Sequence, residues 1–137
     1  MTNMDIESYM PHRGGMKLIQ DILESNENSC KAIAVPKETW PFQTGEGIDP
    51  MVIIELVAQT TSAYVGWCRR NKKKLGGAGF LVGIRSAEIG QTYLPLGIPV
   101  YISCKRTLDM DNYGVFDGLV FTNDTIYGTA TIQVYNP

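Results

Sequence analysis

Glu55 is the one charged residue in the stretch 50–68, and a lone ionisable group in an apolar run is a natural place to look for chemistry. Asp49 precedes Pro50 as an N-cap residue before a first-turn proline, so Glu55 falls early in a helix, near the positive end of its dipole. A carboxylate buried there must be paired, protonated or used. Two readings of Glu55 are open: a proton-transfer group, or a structural side chain bonded to Gln59 one turn on or to a loop amide. His12, in Pro11-His12-Arg13, is the sole histidine and reads as structural.

Other chemistries find no support in the spacing of residues. One His with scattered Cys30, Cys68 and Cys104 makes no zinc site, and Asp109, Asp111 and Asp117 lack the Gly and Glu of a calcium loop. No serine stands in a GxSxG elbow, and no phosphate-loop glycine run follows a strand. The basic run at 69–74, with Arg69, Arg70 and Lys73, reads as a solvated helix end, with docking of an acidic protein as the alternative.

The helix that carries Glu55 is apolar on every face: Val52, Ile53, Leu56, Val57, Ala63 and Val65 leave no polar stripe. Such a helix must be enclosed on most sides, which predicts a sheet wrapped round it and a partner subunit to finish the burial. The run is close to the ~20 residues of a bilayer span, but Glu55, Gln59, Thr60, Thr61 and Ser62 at its centre exclude a membrane helix. Basic residues and then Gly76 and Gly77 end it.

Before the helix, residues 16–23 and 30–35 predict a hairpin around Ser25-Asn26-Glu27-Asn28, and residues 40–47 predict a loop. After it, residues 79–88 predict a strand. Val100, Ile102 and Cys104 alternate with Tyr101, Ser103 and Lys105 in the next. In the last strand Ile126, Ala130, Ile132 and Val134 are expected on one face, opposite Thr125, Thr129, Thr131 and Gln133. Asp111-Asn112 and Asn123-Asp124 lie between strands as hairpin turns.

Length and composition agree with one domain spanning 1–137: hydrophobic residues at 44% and charged residues at 19% are ordinary for a folded chain. A net charge of -2 gives nucleic acid or an anionic membrane no electrostatic hold. The three cysteines, without CxxC spacing, read as reduced thiols of a cytoplasmic protein.

Three motifs in order carry a resemblance. Pro11-His12-Arg13 with residues 16–23, Ile54-Glu55-Leu56-Val57-Ala58-Gln59, and the Pro95/Gly97 turn are similar to those of the β-hydroxyacyl-acyl carrier protein dehydratases. The ending Gln133-Val134-Tyr135-Asn136-Pro137 most resembles the dehydratase-like branch linked to aryl-polyene lipid clusters. This resemblance implies an α+β hot-dog fold, an antiparallel sheet wrapped around one long central helix, with protomers paired as a homodimer or with another hot-dog protein. It implies an acyl thioester carried on acyl carrier protein or coenzyme A, whose phosphopantetheine arrives with the substrate, and no separate cofactor. Gly45, Gly47, Gln59, Phe80 and Leu81 are the implied substrate-binding positions, with Tyr64 beside the acyl tunnel. Arg69, Arg70 and Lys73 would be the docking positions if the basic run engages an acidic carrier protein.

One departure governs the functional expectation. Members of that family pair a helix carboxylate with a loop His ten positions ahead, and here that position is Gly45. The chain is therefore expected to supply Glu55 as general acid to a dehydratase dimer whose other subunit brings the His. A hot-dog thioesterase, in which the helix carboxylate activates water, is the alternative enzyme. A non-catalytic scaffold or acyl-carrier-binding subunit is the alternative outside enzymes.

Overall fold

The computed structural model describes residues 17–70, 81–110 and 112–135, with residues 69, 70, 81 and 82 described by backbone alone. The chain opens with a hairpin of β1 (Ile19–Ser25) and β2 (Ser29–Ala34). Its turn is an Asx turn: Asn26 Oδ1 accepts from the backbone nitrogens of Asn28 (2.9 Å) and Ser29 (3.0 Å). The stretch expected as a loop contains a short ribbon, β3 (Gln43–Thr44) against β4 (Gly47–Ile48). Two-residue strands are too short for period-2 patterning to reveal.

Helix α1 (Val52–Arg70) follows, and then four strands: β5 (Leu81–Ile89), β6 (Val100–Met110), β7 (Tyr113–Phe121) and β8 (Ile126–Tyr135). The large sheet is six-stranded, in the order β1-β2-β6-β7-β8-β5, and antiparallel throughout. The alternation in β6 is as expected, with Val100, Ile102 and Cys104 fully buried against the helix. Met110 pairs with Tyr113, and Thr122 N donates to Thr125 O at 2.8 Å, so both hairpin turns fall where the sequence predicts them.

Expectation fails at Ile126. Ala130, Ile132 and Val134 are buried, but Ile126 is 66% exposed and its neighbour Tyr127 is buried instead. The cause is a register shift: Val120 pairs with Gly128 while Phe121 pairs with Ile126, so the extra residue Tyr127 breaks the alternation.

The helix presses onto the sheet at glycines. A Cβ on Gly118 would lie 2.3 Å from Val57 Cγ1, and one on Gly128 would lie 3.1 Å from Ile53 Cγ1. Val52, Ile53, Leu56 and Val57 are thereby wholly buried, each contributing up to ~1.5–3 kcal/mol. From Val52 to Cys68 no residue is exposed, so the chain's own sheet and loops cover most of this helix. Only Ile54, Glu55, Ala58 and Trp67 in that span are partly accessible. Residues 54, 55 and 58 share one helix face with exposed Met51, and they form its least covered stripe. Among the described residues, no helix is long and apolar enough to cross a membrane.

Candidate functional site

The site is built from the start of α1. Asp49 caps it as expected: its Oδ1 accepts from Met51 N at 2.9 Å and its carbonyl from Val52 N at 3.1 Å. This fixes the first turn, from which Glu55 projects along the less covered stripe, partly rather than fully buried.

Gln59 holds Glu55 in place. Its Nε2 donates to Glu55 Oε2 at 2.9 Å, the i,i+4 bond that the spacing allows. Gln59 itself is wholly buried, and its Oε1 accepts from Leu18 N at 2.9 Å and from Ile19 N at 3.4 Å. Helix and first strand are thus joined through one amide side chain, which points its N–H at the carboxylate. These strand amides were not visible from sequence, because they lie 41 and 40 residues from Gln59.

Gly45 and Gly47 sit in the β3–β4 turn, where Thr44 Oγ1 donates to Gly47 O at 2.9 Å and accepts from Glu46 N at 3.0 Å. Their roles differ. Gly47 has φ of 122°, and a Cβ there would lie 2.6 Å from Leu94 O, so only glycine fits. Ile48 and Leu94 exchange two backbone bonds of 2.9 Å beside it, tying the turn to the segment before Pro95. Gly45 is exposed, and a Cβ there would meet nothing within 4 Å. The turn therefore tolerates a side chain at Gly45 and forbids one at Gly47.

Of the remaining predicted positions, Leu81 opens β5 and Arg69 and Arg70 close α1, their backbones alone being described. Phe80, Lys73 and His12 lie outside the described residues. Tyr64 is fully buried, with its hydroxyl donating to Asn26 O at 2.7 Å and its ring edge-on to Phe116 at 5.8 Å. Arg106 lies 5.6 Å above that ring and donates to Glu27 O, so it anchors the β1–β2 turn to the far end of the helix. This aromatic–cation cluster went unforeseen because its members are separated in sequence.

The cysteines belong to the same core. Burial pushes the Cys104 thiol up to about 12, and Thr61 only partly offsets it. Burial likewise raises Cys68, against the opposing effects of Tyr64 and Arg106, and raises Cys30 further, with Cys104 adding to the rise. These are packing residues and not nucleophiles. Among the described residues no three His, Cys, Asp or Glu side chains converge to hold a metal ion.

The architecture, a six-stranded antiparallel sheet around one long helix with a carboxylate early in that helix, defines a hot-dog protein. The chain belongs to the ApeP-like family, described as ApeP dehydratase, which matches residues 4–137. This is the aryl-polyene-linked dehydratase-like branch that the motifs resemble. Among solved structures it is similar to the dehydratase heterocomplex ApeI:P from Xenorhabdus doucetiae, at 21% identity and a TM-score of 0.83, over 98% of this chain and 92% of that one. It is also similar to a thioesterase from Haemophilus influenzae, at 12% identity and a TM-score of 0.61, covering 84% of this chain and 76% of that one. A Streptococcus mutans protein bound to acetyl CoA shares 12% identity with a TM-score of 0.63, over 90% of this chain and 91% of that one. These likenesses establish the fold. No curated protein is detectably similar to the chain.

Proposed function

We propose that this chain is one hot-dog subunit of a heteromeric 3-hydroxyacyl thioester dehydratase, with Glu55 as general acid. The single observation that carries the reading is Glu55 on the accessible helix stripe, oriented by a buried Gln59, in a member of a dehydratase family that has glycine where a catalytic His would stand. The likeness to a dehydratase heterocomplex supports a second hot-dog protein as the source of that His.

The chemistry follows from the two groups. The partner's imidazole removes the α-proton and the thioester carbonyl takes up the developing charge near the amides at the start of the helix. The C3–O bond breaks, the hydroxyl takes a proton from Glu55 and leaves as water, and a trans-2-enoyl thioester remains. In this reading Gly45, Gly47, Phe80 and Leu81 are assigned to the acyl thioester, and Arg69, Arg70 and Lys73 to an acidic carrier, from the family pattern alone.

The test is dehydration of a 3-hydroxyacyl thioester by this protein alone, by a hot-dog protein that carries the loop His, and by the two co-expressed. Product from the pair only is the expected result. Full activity from this protein alone would contradict the proposal.

A further inference from the structure

The face of the large sheet turned away from α1 is ordered in rows, because the register sets outward side chains of neighbouring strands opposite one another. One row is apolar: Ile33 lies opposite Tyr101, Tyr101 opposite Phe121, and Phe121 opposite Ile126. The rings of Tyr101 and Phe121 stand side by side at 5.9 Å, and Lys31 Nζ reaches over both, at 5.4 and 5.8 Å. The bulge at Tyr127 completes this row by turning Ile126 outward, where it is the most exposed large apolar side chain described. In the next row along the strands Ser103 lies opposite Leu119, and Leu119 opposite Thr129. In the row after that, Lys105 lies opposite Asp117 and Asp117 opposite Thr131, with both charged residues exposed. These last two rows floor a hollow of about 650 Å³.

An apolar row beside a groove that carries both charges can complement itself, which is what a two-fold interface requires. The charges select the axis. One along β6 sets Lys105 against Lys105, and one along β7 sets Asp117 against Asp117. One across the strands through the middle row lays the apolar row on Lys105 and Asp117. An axis parallel to the strands and midway between β6 and β7 exchanges those two strands, and with them β2 and β8. It lays Tyr101 on Phe121 of the second copy, Ile33 on Ile126 and Lys105 on Asp117, each contact made twice. Leu119 then enters the hollow of the other copy above Ser103. Apolar groups meet apolar groups, and cation meets anion. We infer that this outer face binds a second copy of the chain, the two sheets stacking ~10 Å apart with their strands roughly aligned. The accessible stripe of α1 that carries Glu55 lies on the other side of the sheet, so the stacking leaves it open to a different partner. The inference does not depend on the dehydratase reading.

Sedimentation velocity of the full chain over a concentration series tests the surface. The native chain is expected to self-associate reversibly. Ile126→Asp, at an exposed position, is expected to weaken that association at least about tenfold while leaving the circular dichroism spectrum unchanged. Lys105→Glu and Asp117→Lys each put like charges at both symmetry-related contacts, and each is expected to weaken it about tenfold at low salt and less at high salt. Mixed in equal amounts, these two variants set opposite charges at both contacts, so the mixture is expected to regain native affinity. A folding defect in either variant would not be cured by mixing. A native chain that stays monomeric throughout would overturn the inference, and so would self-association that all three substitutions leave unchanged. Weakened variants that fail to recover together would overturn the axis between β6 and β7. Loss of pairing with a hot-dog protein carrying the loop His, in place of self-association, would make this face the heteromeric interface and overturn the inference as well.

Discussion

Gln59 stands 2.9 Å from Glu55 Oε2 on one side and 2.9 Å from the Leu18 backbone nitrogen on the other. A neutral amide is suited to this place, because it can accept from the strand and donate to the carboxylate at once. Gln59→Leu fills a similar volume but leaves buried strand N–H groups unpaired. A loss of about 2–3 kcal/mol in urea unfolding is expected. A loss under 0.5 kcal/mol would mean that water replaces the amide.

The two turn glycines make opposite predictions. Gly47→Ala forces a side chain against Leu94 O at a φ of 122°, and should cost at least about 1–3 kcal/mol. Gly45→His enters open space and should change stability by less than about 0.5 kcal/mol. Gly45→His places on this turn the imidazole that the proposal assigns to the partner, and should also give the protein measurable dehydration on its own, seen as enoyl thioester absorbance. Equal sensitivity at Gly45 and Gly47 in thermal unfolding would refute the assignment of the strained position.

The helix–sheet contact makes a third prediction. Gly118→Ala drives a methyl into Val57 and should cost about 1–3 kcal/mol, more than an exposed substitution does. Val57→Ala in the same chain should recover part of that loss, since the two side chains compete for one space. Additive losses in the double variant would contradict the contact.

How much of this was legible in the sequence depends on periodicity and distance. The cap at Asp49, the helix, its bond from Glu55 to Gln59 and the alternation of β6 follow local rules, and each was readable. The bulge at Tyr127 was not, because a one-residue insertion obeys no period, and it turned Ile126 outward. The strand amides on Gln59 and the ring of Tyr64 under Arg106 join residues far apart in the chain. Only the closed sheet brings such residues together. The apolar pattern showed that the helix is enclosed, but one chain and two cover it with the same pattern.

The thiols set a pH dependence. Cys104 rises from the ordinary 9.0 to about 12 in the fold, and its protonated form is the one the core accepts. Its contribution to stability is therefore intact below about pH 9 and lost as pH rises toward 12. Urea midpoints should fall across that range, and less steeply in Cys104→Ala. At pH 8 a disulfide reagent should leave all three buried cysteines of the native chain unmodified and titrate them after unfolding. Rapid modification in the native state would contradict the burial.

Glu55→Gln in the assembled pair tests the central claim most directly. The substitution keeps the shape and a partner for Gln59 but removes the transferable proton. Dehydration of a 3-hydroxyacyl thioester should fall about 10²–10⁴-fold with the pair still assembled. An intact pair whose rate is unchanged by Glu55→Gln would show that the proton comes from elsewhere.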